Sequence, residues 1–386
     1  MIEFFSLLIS PLIVTKIYLL SGLHLIKQLR VLSVVLCTLL VVYLSLVLPE
    51  RNLLLQTSGL GTDILHYFDA FNEILSLKSS SHSEIMKIAA ENTGSWEPIF
   101  WEVVNWLSVP LNSSYEIWSG LIVLSLFLYI AAVWRISPEF ILVSLCLYVS
   151  TITFFVFSIS ALRQFLALSF FVIALSVIKK DIVFYSMLLL AVLCHGTMLI
   201  VSPIIILAKL LSKRTDINYN KVIGVASVLS FSFLLFIKFI LPIFLSRFSY
   251  IDYGVIGKLN AIINTKGSNS LSSLIQLVIE ALIFSLYLYY YRSYIPHFLK
   301  LSFIFLFFIS SALLIGTDFG DRVYRVIYII YILSFAYHFS AMKSYLERYI
   351  FSIVIVSFSF VWFLIIYYTR YGVFYFDGVI TKFFIF

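Results

Sequence analysis

The chain is built almost wholly from apolar runs of about 15 to 22 residues separated by short polar breaks, close to the length that crosses a bilayer as a helix. That pattern leaves few folds open. In hydrocarbon a segment must satisfy its own backbone groups, as a helix does. The pattern is sharpest in ALRQFLALSFFVIALSVIKKDIVFYSMLLLAVLCHG, Ala161–Gly196. Two apolar stretches flank Lys179-Lys180; Arg163 opens the first and His195 closes the second. At about 1.5 Å per residue, Gln164–Ile178 climbs roughly 22 Å and Ile182–Cys194 roughly 20 Å. The hydrocarbon layer is about 30 Å thick. With the lysine pair at one surface, Arg163 and His195 both stop short of the other, at a similar depth. Ionisable groups there are costly unless they line a wet cavity, so a site is expected at that level.

Twelve apolar segments are read, roughly 3–20, 31–48, 117–134, 139–160, 164–178, 182–195, 197–211, 222–245, 271–291, 301–315, 323–342 and 349–368. The expected fold is an all-α polytopic membrane bundle, a single integral membrane domain over residues 1–386. The sixth and seventh segments are too short to span alone and suggest a bent or re-entrant hairpin with His195-Gly196 at its tip. A charged fraction of only 12% leaves no room for a separable soluble domain. No cleavable signal peptide is expected, because the first run lacks a basic leader and an A-x-A site. Cys37, Cys146 and Cys194 all lie in apolar runs and read as small buried hydrophobes. Glu280 lies mid-segment, where a carboxylate needs a partner. Lys238 is the nearest intramembrane cation in sequence, so a Glu280–Lys238 contact is expected.

Short connections on one side concentrate Lys27, Arg30, Arg135, Lys179, Lys180, Lys213 and Arg214 with few acids. Positive-inside logic puts that side in the cytoplasm and the long loops, with both termini, outside. The net charge of +7 therefore reflects topology; no nucleic-acid patch is visible. The large outer loop, 50–114, holds GLGTDILHYFDAF (Gly59–Phe71), a polar Ser/Lys run and SWEPIFWEVVNWL (Ser95–Leu107). Asp63, Tyr67 and Phe71 share a helical face at i, i+4, i+8. That helix is either a lid lying on the membrane, capped by Gly61-Thr62-Asp63, or the carrier of a functional carboxylate. Trp96, Trp101, Trp106 and Trp118 either stack on sugar rings or form the interfacial belt. A second outer loop, 246–270, begins at Arg247. A third, short one leads into DRVYRVIYIIY, where Arg322 and Arg325 share a face and Asp318 and Asp321 stand four residues before them.

The outer face thus offers Arg163, Arg247, Arg322 and Arg325, with carboxylates at Asp63 and Glu97 and an imidazole at His195. Arginines suit bidentate diphosphate capture, and a carboxylate or neutral imidazole can take a proton from an attacking hydroxyl. No histidine pair at i, i+4 and no D-x-D is written, so no metal and no other cofactor is expected. The absence of a Gly-rich phosphate loop argues against a nucleotide-fuelled reaction.

These residues carry a resemblance. GTDILHYFDAF looks like the G-T-D-x-x-x-Y-x-x-x-F element of the EpsG family of exopolysaccharide and O-antigen polymerases, and SWEPIFWEVVNWL resembles the E-P-x-F stretch that follows it. ALRQFLALSFFVIAL is similar to the family's R-Q-x-x-A helix, CHGTMLI to its H-x-S-A-L element with Thr197 for Ser, and DRVYRVIYIIY to its C-terminal Arg/Tyr stretch. The matches fall in order between residues 50 and 340 and fit the wider Wzy-like superfamily. The resemblance implies a bacterial inner-membrane glycosyltransferase of the lipid-donor, GT-C-like architecture. It would join undecaprenyl-diphosphate-linked repeat units on the outer face, without metal, with membrane lipid and a chain-length regulator as partners and no nucleic acid. Carried over residue by residue, Arg163, Gln164 and His195 form the core, with Asp63, Tyr67, Glu97 and Arg322 around them; Arg325, Arg247 and Trp96 are further candidates for holding diphosphate or glycan. His195 is the favoured base and Asp63 the second choice. An O-antigen ligase is the near alternative. A flippase would show two matching halves, which are not seen, and an O-acetyltransferase would need its residues on the cytoplasmic side.

Overall fold

A computed structural model describes residues 30–56, 62–77, 81–94, 97–149, 161–214, 217–240, 270–316 and 319–366, with a few isolated positions between them. Every regular element among the described residues is helical. The protein is a polytopic membrane helical bundle. Most of the first expected segment, the end of the fourth, Trp96, Arg247 and the 246–270 loop lie outside the described residues.

The helices are α1 (Arg30–Gln56), α2 (Thr62–Leu77), α3 (His82–Thr93), α4 (Pro98–Ser108), α5 (Ser114–Ile136), α6 (Ile141–Val149), α7 (Leu162–Ser176) and α8 (Asp181–Cys194). There follow α9 (Thr197–Leu211), α10 (Tyr219–Leu235), α11 (Ser270–Tyr290), α12 (His297–Gly316), α13 (Phe319–Ala341) and α14 (Tyr345–Ile366). Among the described residues four stretches are long and apolar enough to cross a membrane unaided: Ser114–Ile136, Tyr219–Ile240, His297–Ile315 and Arg322–Ala341. The pair expected to be short is short: α8 has 14 residues and α9 has 15, with the break at His195-Gly196.

The chain divides into two compact units. The first comprises Met1–His195 with Phe339–Phe386, the second Gly196–His338. In the first, α5 is the central post. Ser113 caps it by accepting from the Glu116 N–H, and its buried stripe runs Ile117, Trp118, Leu121, Ile122, Ser125, Leu126, Tyr129, Ala132, Val133. That period matches a helix buried along one broad face. α1, α7, α2 and α4 all pack on it, and α7 packs in turn on α8. A methyl group on Gly120 would stand 3.3 Å from Leu107 of α4, so glycine permits the close approach of the two helices. Arg348 anchors the start of α14 by donating to the Met342 carbonyl at 2.7 and 2.9 Å and pairing with Glu139. All three cysteines are buried and free, as their apolar settings suggested.

The described parts of the 50–114 loop are folded. α2, α3 and α4 pack on one another, and α2 and α4 also pack on α5. α3 was not legible as a helix beforehand. It is set by a capping box: the Ser81 hydroxyl accepts from the Glu84 N–H, and the Glu84 carboxylate accepts from the Ser81 N–H at 2.8 Å. Those bonds hold the Glu84 carboxyl below its ordinary value.

In the second unit α12 is the post for α9, α10 and α11. α10 leaves Ile223, Val225, Val228, Leu229 and Phe231 exposed, the apolar surface a helix gives to hydrocarbon. Glu280 on α11 is buried, but Lys238 is not its partner. Lys238 is exposed on the π-helical turn Phe236–Ile240. The Glu280 carboxylate instead accepts from the Tyr324 and Tyr328 hydroxyls of α13. Two phenols satisfy both oxygens, which removes the need for the cation that Coulomb reasoning alone demanded.

Candidate functional site

The site is built where the helices of the 50–114 loop meet α7. On α2 the residues Tyr67, Phe68, Phe71 and Ile74 are buried and Leu65, His66, Asp69 and Glu73 exposed, an amphipathic face at helical spacing. The buried face meets an aromatic cluster. The Tyr67 ring lies 6.0 Å from Phe71, Phe100 and Trp118 and 6.2 Å from Trp101. Trp101 and Trp118 are fully buried, and the Trp118 indole N–H donates to the Ser158 carbonyl at 3.1 Å. The expectation that these two stack on sugars or form a lipid belt is therefore corrected: they are the core that fixes α2 and α4 on α5. Trp106 is exposed.

That core sets the height of the Tyr67 hydroxyl. Arg163, in the first turn of α7, donates from Nε to Tyr67 Oη at 2.7 Å and from Nη1 to Glu97 Oε2 at 2.7 Å. Glu97 stands at the N-cap of α4 yet makes no side-chain cap bond; its carboxylate turns to the guanidinium. The two side chains are 19% and 13% exposed, so the pair is largely withdrawn from water. Three residues drawn from separate stretches, at 67, 97 and 163, thus form one cluster. The arginine has five N–H groups. Among the described residues, Nη2 and the second N–H of Nη1 have no protein acceptor, and the side chain lines a cavity of about 130 Å³.

His66, Tyr67, Asn92 and Thr93 form the rest of that cavity wall. His66, Asn92 and Thr93 were not singled out in the sequence. His66 was hidden by its place on the exposed face of α2. The two residues at the end of α3 were signalled only by Ser81 and Glu84, four residues apart counted inclusively, ahead of Ile85, Ile88 and Ala89.

His195 is the C-cap of α8, with its own N–H on the Ala191 carbonyl at 3.1 Å and its residue 6% exposed. It does not line the cavity, although α8 packs on α4, which Glu97 opens. Gln164 is buried beside Arg163 on α7. Asp63 falls in the first turn of α2, its side chain outside those described, and so are the side chains of Asp318 and Asp321, the acids four residues before Arg322 and Arg325. Arg322 is exposed and Arg325 half-buried on α13, in the second unit. Among the described residues no group of three or more His, Cys, Asp and Glu is placed to hold a metal ion.

In chemical terms the cluster is a guanidinium fixed on one edge, open on the other, neutralised by a carboxylate and adjoining a polar hollow. It is arranged to receive an oxyanion. A family model described as the EpsG family matches residues 34–376. Among curated proteins, the "EPS I polysaccharide export inner membrane protein EpsF" of Ralstonia nicotianae is 28% identical over 341 residues, covering 87% of this chain and 80% of that protein. Its namesake in Ralstonia solanacearum is 28% identical over 297 residues, covering 76% and 70%. No solved structure matches the chain significantly.

Proposed function

The chain belongs to the EpsG family, and on that premise we propose that it is a polymerase of lipid-linked polysaccharide repeat units. It is a multi-pass inner-membrane protein of exopolysaccharide metabolism. The finer reading is a glycosyl transfer on the outer face. A hydroxyl of an undecaprenyl-diphosphate-linked repeat unit attacks the anomeric carbon of a second lipid-linked glycan. The new glycosidic C–O bond forms as the bond to diphosphate breaks, and the lipid diphosphate leaves with the bonding pair. The diphosphate is already a good leaving group, so the protein must hold it, orient the acceptor and take one proton.

One observation carries the reading: Arg163 is locked by Tyr67 and Glu97 on one edge and keeps unspent donors at the cavity. Preorganised donors aimed at developing oxyanion charge are the largest single contribution in acyl and phosphoryl chemistry, and the same logic applies to a departing diphosphate. Trp96 and Gln164 are proposed to hold the glycan. His195 is proposed as the base, with Asp63 as the residue to change next.

The experiment is reconstitution of the purified full chain with lipid-linked repeat units, followed by gel separation of the glycans. The reading expects a ladder of lengthening chains, lost in Arg163→Ala and in Arg163→Lys, because a point charge does not reproduce the fork. Near-normal ladders from stably inserted Arg163→Ala protein would overturn it. A specific rival is translocation, because the two relatives carry the word export in their names. It predicts no elongation by the pure wild-type protein, and finished polymer retained in cells lacking it.

A further inference from the structure

We propose that the 130 Å³ cavity beside Arg163 is a sugar subsite, in which Asn92 and Thr93 accept hydrogen bonds from the sugar attached directly to the donor diphosphate. The inference rests on the reading of Arg163 as the diphosphate ligand and deepens it. The cavity volume of about 130 Å³ is close to the roughly 150 Å³ of a cavity that takes one benzene ring, the scale of a single sugar ring.

The chemistry of the wall can be worked out group by group. Asn92 Nδ2 faces the Glu73 carboxylate at 2.8 Å and the Ile88 carbonyl at 3.1 Å. Both partners only accept, so the amide nitrogen must point at them, and the orientation of the amide is settled by its neighbours. Its two N–H groups are spent. What remains is Oδ1, an acceptor with no protein donor among the described residues. Thr93 is in the same state: its hydroxyl proton goes to the Ala89 carbonyl at 2.7 Å, leaving the oxygen's lone pairs. Arg163, on the same cavity, offers only donors. The hollow is therefore polarised, with donors for an oxyanion at one wall and acceptors for O–H or N–H groups at another. A diphosphate esterified at both ends carries no P–OH at neutral pH and has no use for the acceptor wall. A sugar carried on a diphosphate matches both walls, because its ring substituents are the groups nearest the phosphate that can donate.

Both acceptors sit in the last turn of α3, the helix that the Ser81–Glu84 capping box starts and that Gly94, at φ 58°, ends. The turn is thus held at both ends, and Glu73 of α2 pins it through Asn92. The subsite belongs to the folded outer loop, whereas the diphosphate ligand belongs to α7.

The test uses the full chain in nanodiscs with two probes: lipid-linked repeat units extracted from a strain lacking this protein, and bare undecaprenyl diphosphate. Binding is read by competition. Thr93→Val is isosteric and removes the acceptor; Thr93→Ser restores it. Asn92→Ala is the second variant, with melting temperature recorded for all. Wild type should prefer the sugar-bearing probe. Thr93→Val and Asn92→Ala should each weaken that probe about three- to tenfold, the loss expected for one hydrogen bond, while leaving the bare lipid within twofold. Thr93→Ser should bind as wild type. Equal losses on both probes, or no wild-type preference, would overturn the subsite and leave the Arg163 reading standing. Failure of wild type to bind either probe would remove both.

Discussion

The Arg163–Glu97 contact permits a quantitative forecast, because both ends are tied down and neither is fully wet. Taken singly, each of Arg163→Gln and Glu97→Gln strands the opposite charge. At 2.7 Å and an effective dielectric of about 20, the gross Coulomb attraction is about 6 kcal/mol. Desolvation of the two groups cancels much of it. Stranding one member of a deeply buried pair costs about 3–5 kcal/mol. Here 19% and 13% of the side chains remain exposed and the cavity stands alongside, so a loss of about 2–3 kcal/mol per single change is expected. The double change leaves two neutral amides able to bond each other and to keep Tyr67 Oη engaged. It should therefore cost less than the two singles combined by about 2 kcal/mol or more.

The assay is denaturant-induced unfolding of the purified full chain in one detergent for wild type, both singles and the double, scored as a double-mutant cycle. Melting in the scan direction alone does not serve, since large membrane proteins unfold irreversibly. A coupling energy below about 0.5 kcal/mol would mean that the pair is wetter and looser than its geometry implies. Arg163 would then be held by Tyr67 alone, and the preorganisation argued for it would fail. All three variants should lose elongation, whatever their stability, because each alters the charge that meets the diphosphate.

Other outcomes are expected. His195→Gln keeps a polar side chain at the C-cap of α8 but removes the imidazole proposed to take the acceptor's proton, so chain elongation should collapse while lipid-linked glycan still binds; unchanged elongation would point to Asp63. Tyr324→Phe and Tyr328→Phe each withdraw one hydroxyl from the buried Glu280 carboxylate and should destabilise the second unit by about 1.5–3 kcal/mol, measured by unfolding, with Glu280→Gln less severe than either. Gly320→Ala should prevent stable accumulation, because the added carbon would stand 2.3 Å from the Leu314 backbone nitrogen and only a backbone shift relieves it, costing at least about 3 kcal/mol. Acidification should loosen the first turn of α3, read by amide exchange: the bonds that lower the Glu84 carboxyl are present above its unfolded value and lost as pH falls through the folded one.

The membrane helices were readable because hydrocarbon admits so few alternatives. α5, α7, α8, α9 and α12 begin and end within a few residues of the hydropathy breaks. Tyr67, Glu97 and Arg163 could be named from resemblance, but no periodicity relates positions so far apart. Only the docking of α2 and α4 on α5 brings them to 2.7 Å. The outer loop misled for a physical reason. A surface helix with one aromatic face has the same pattern whether that face meets lipid, sugar or another helix, so Trp101 and Trp118 gave no sign that they were core. Glu280 shows the complementary error. A buried carboxylate announces that it needs partners but not which kind, and Tyr324 and Tyr328, spaced i, i+4 on one face, serve it as well as a cation would. Asn92 goes one step further. Its amide is usable by a ligand only through Oδ1, and this follows from what Glu73 and the Ile88 carbonyl take from it. What a polar side chain offers a substrate is the remainder after its protein bonds are subtracted, and that subtraction needs coordinates.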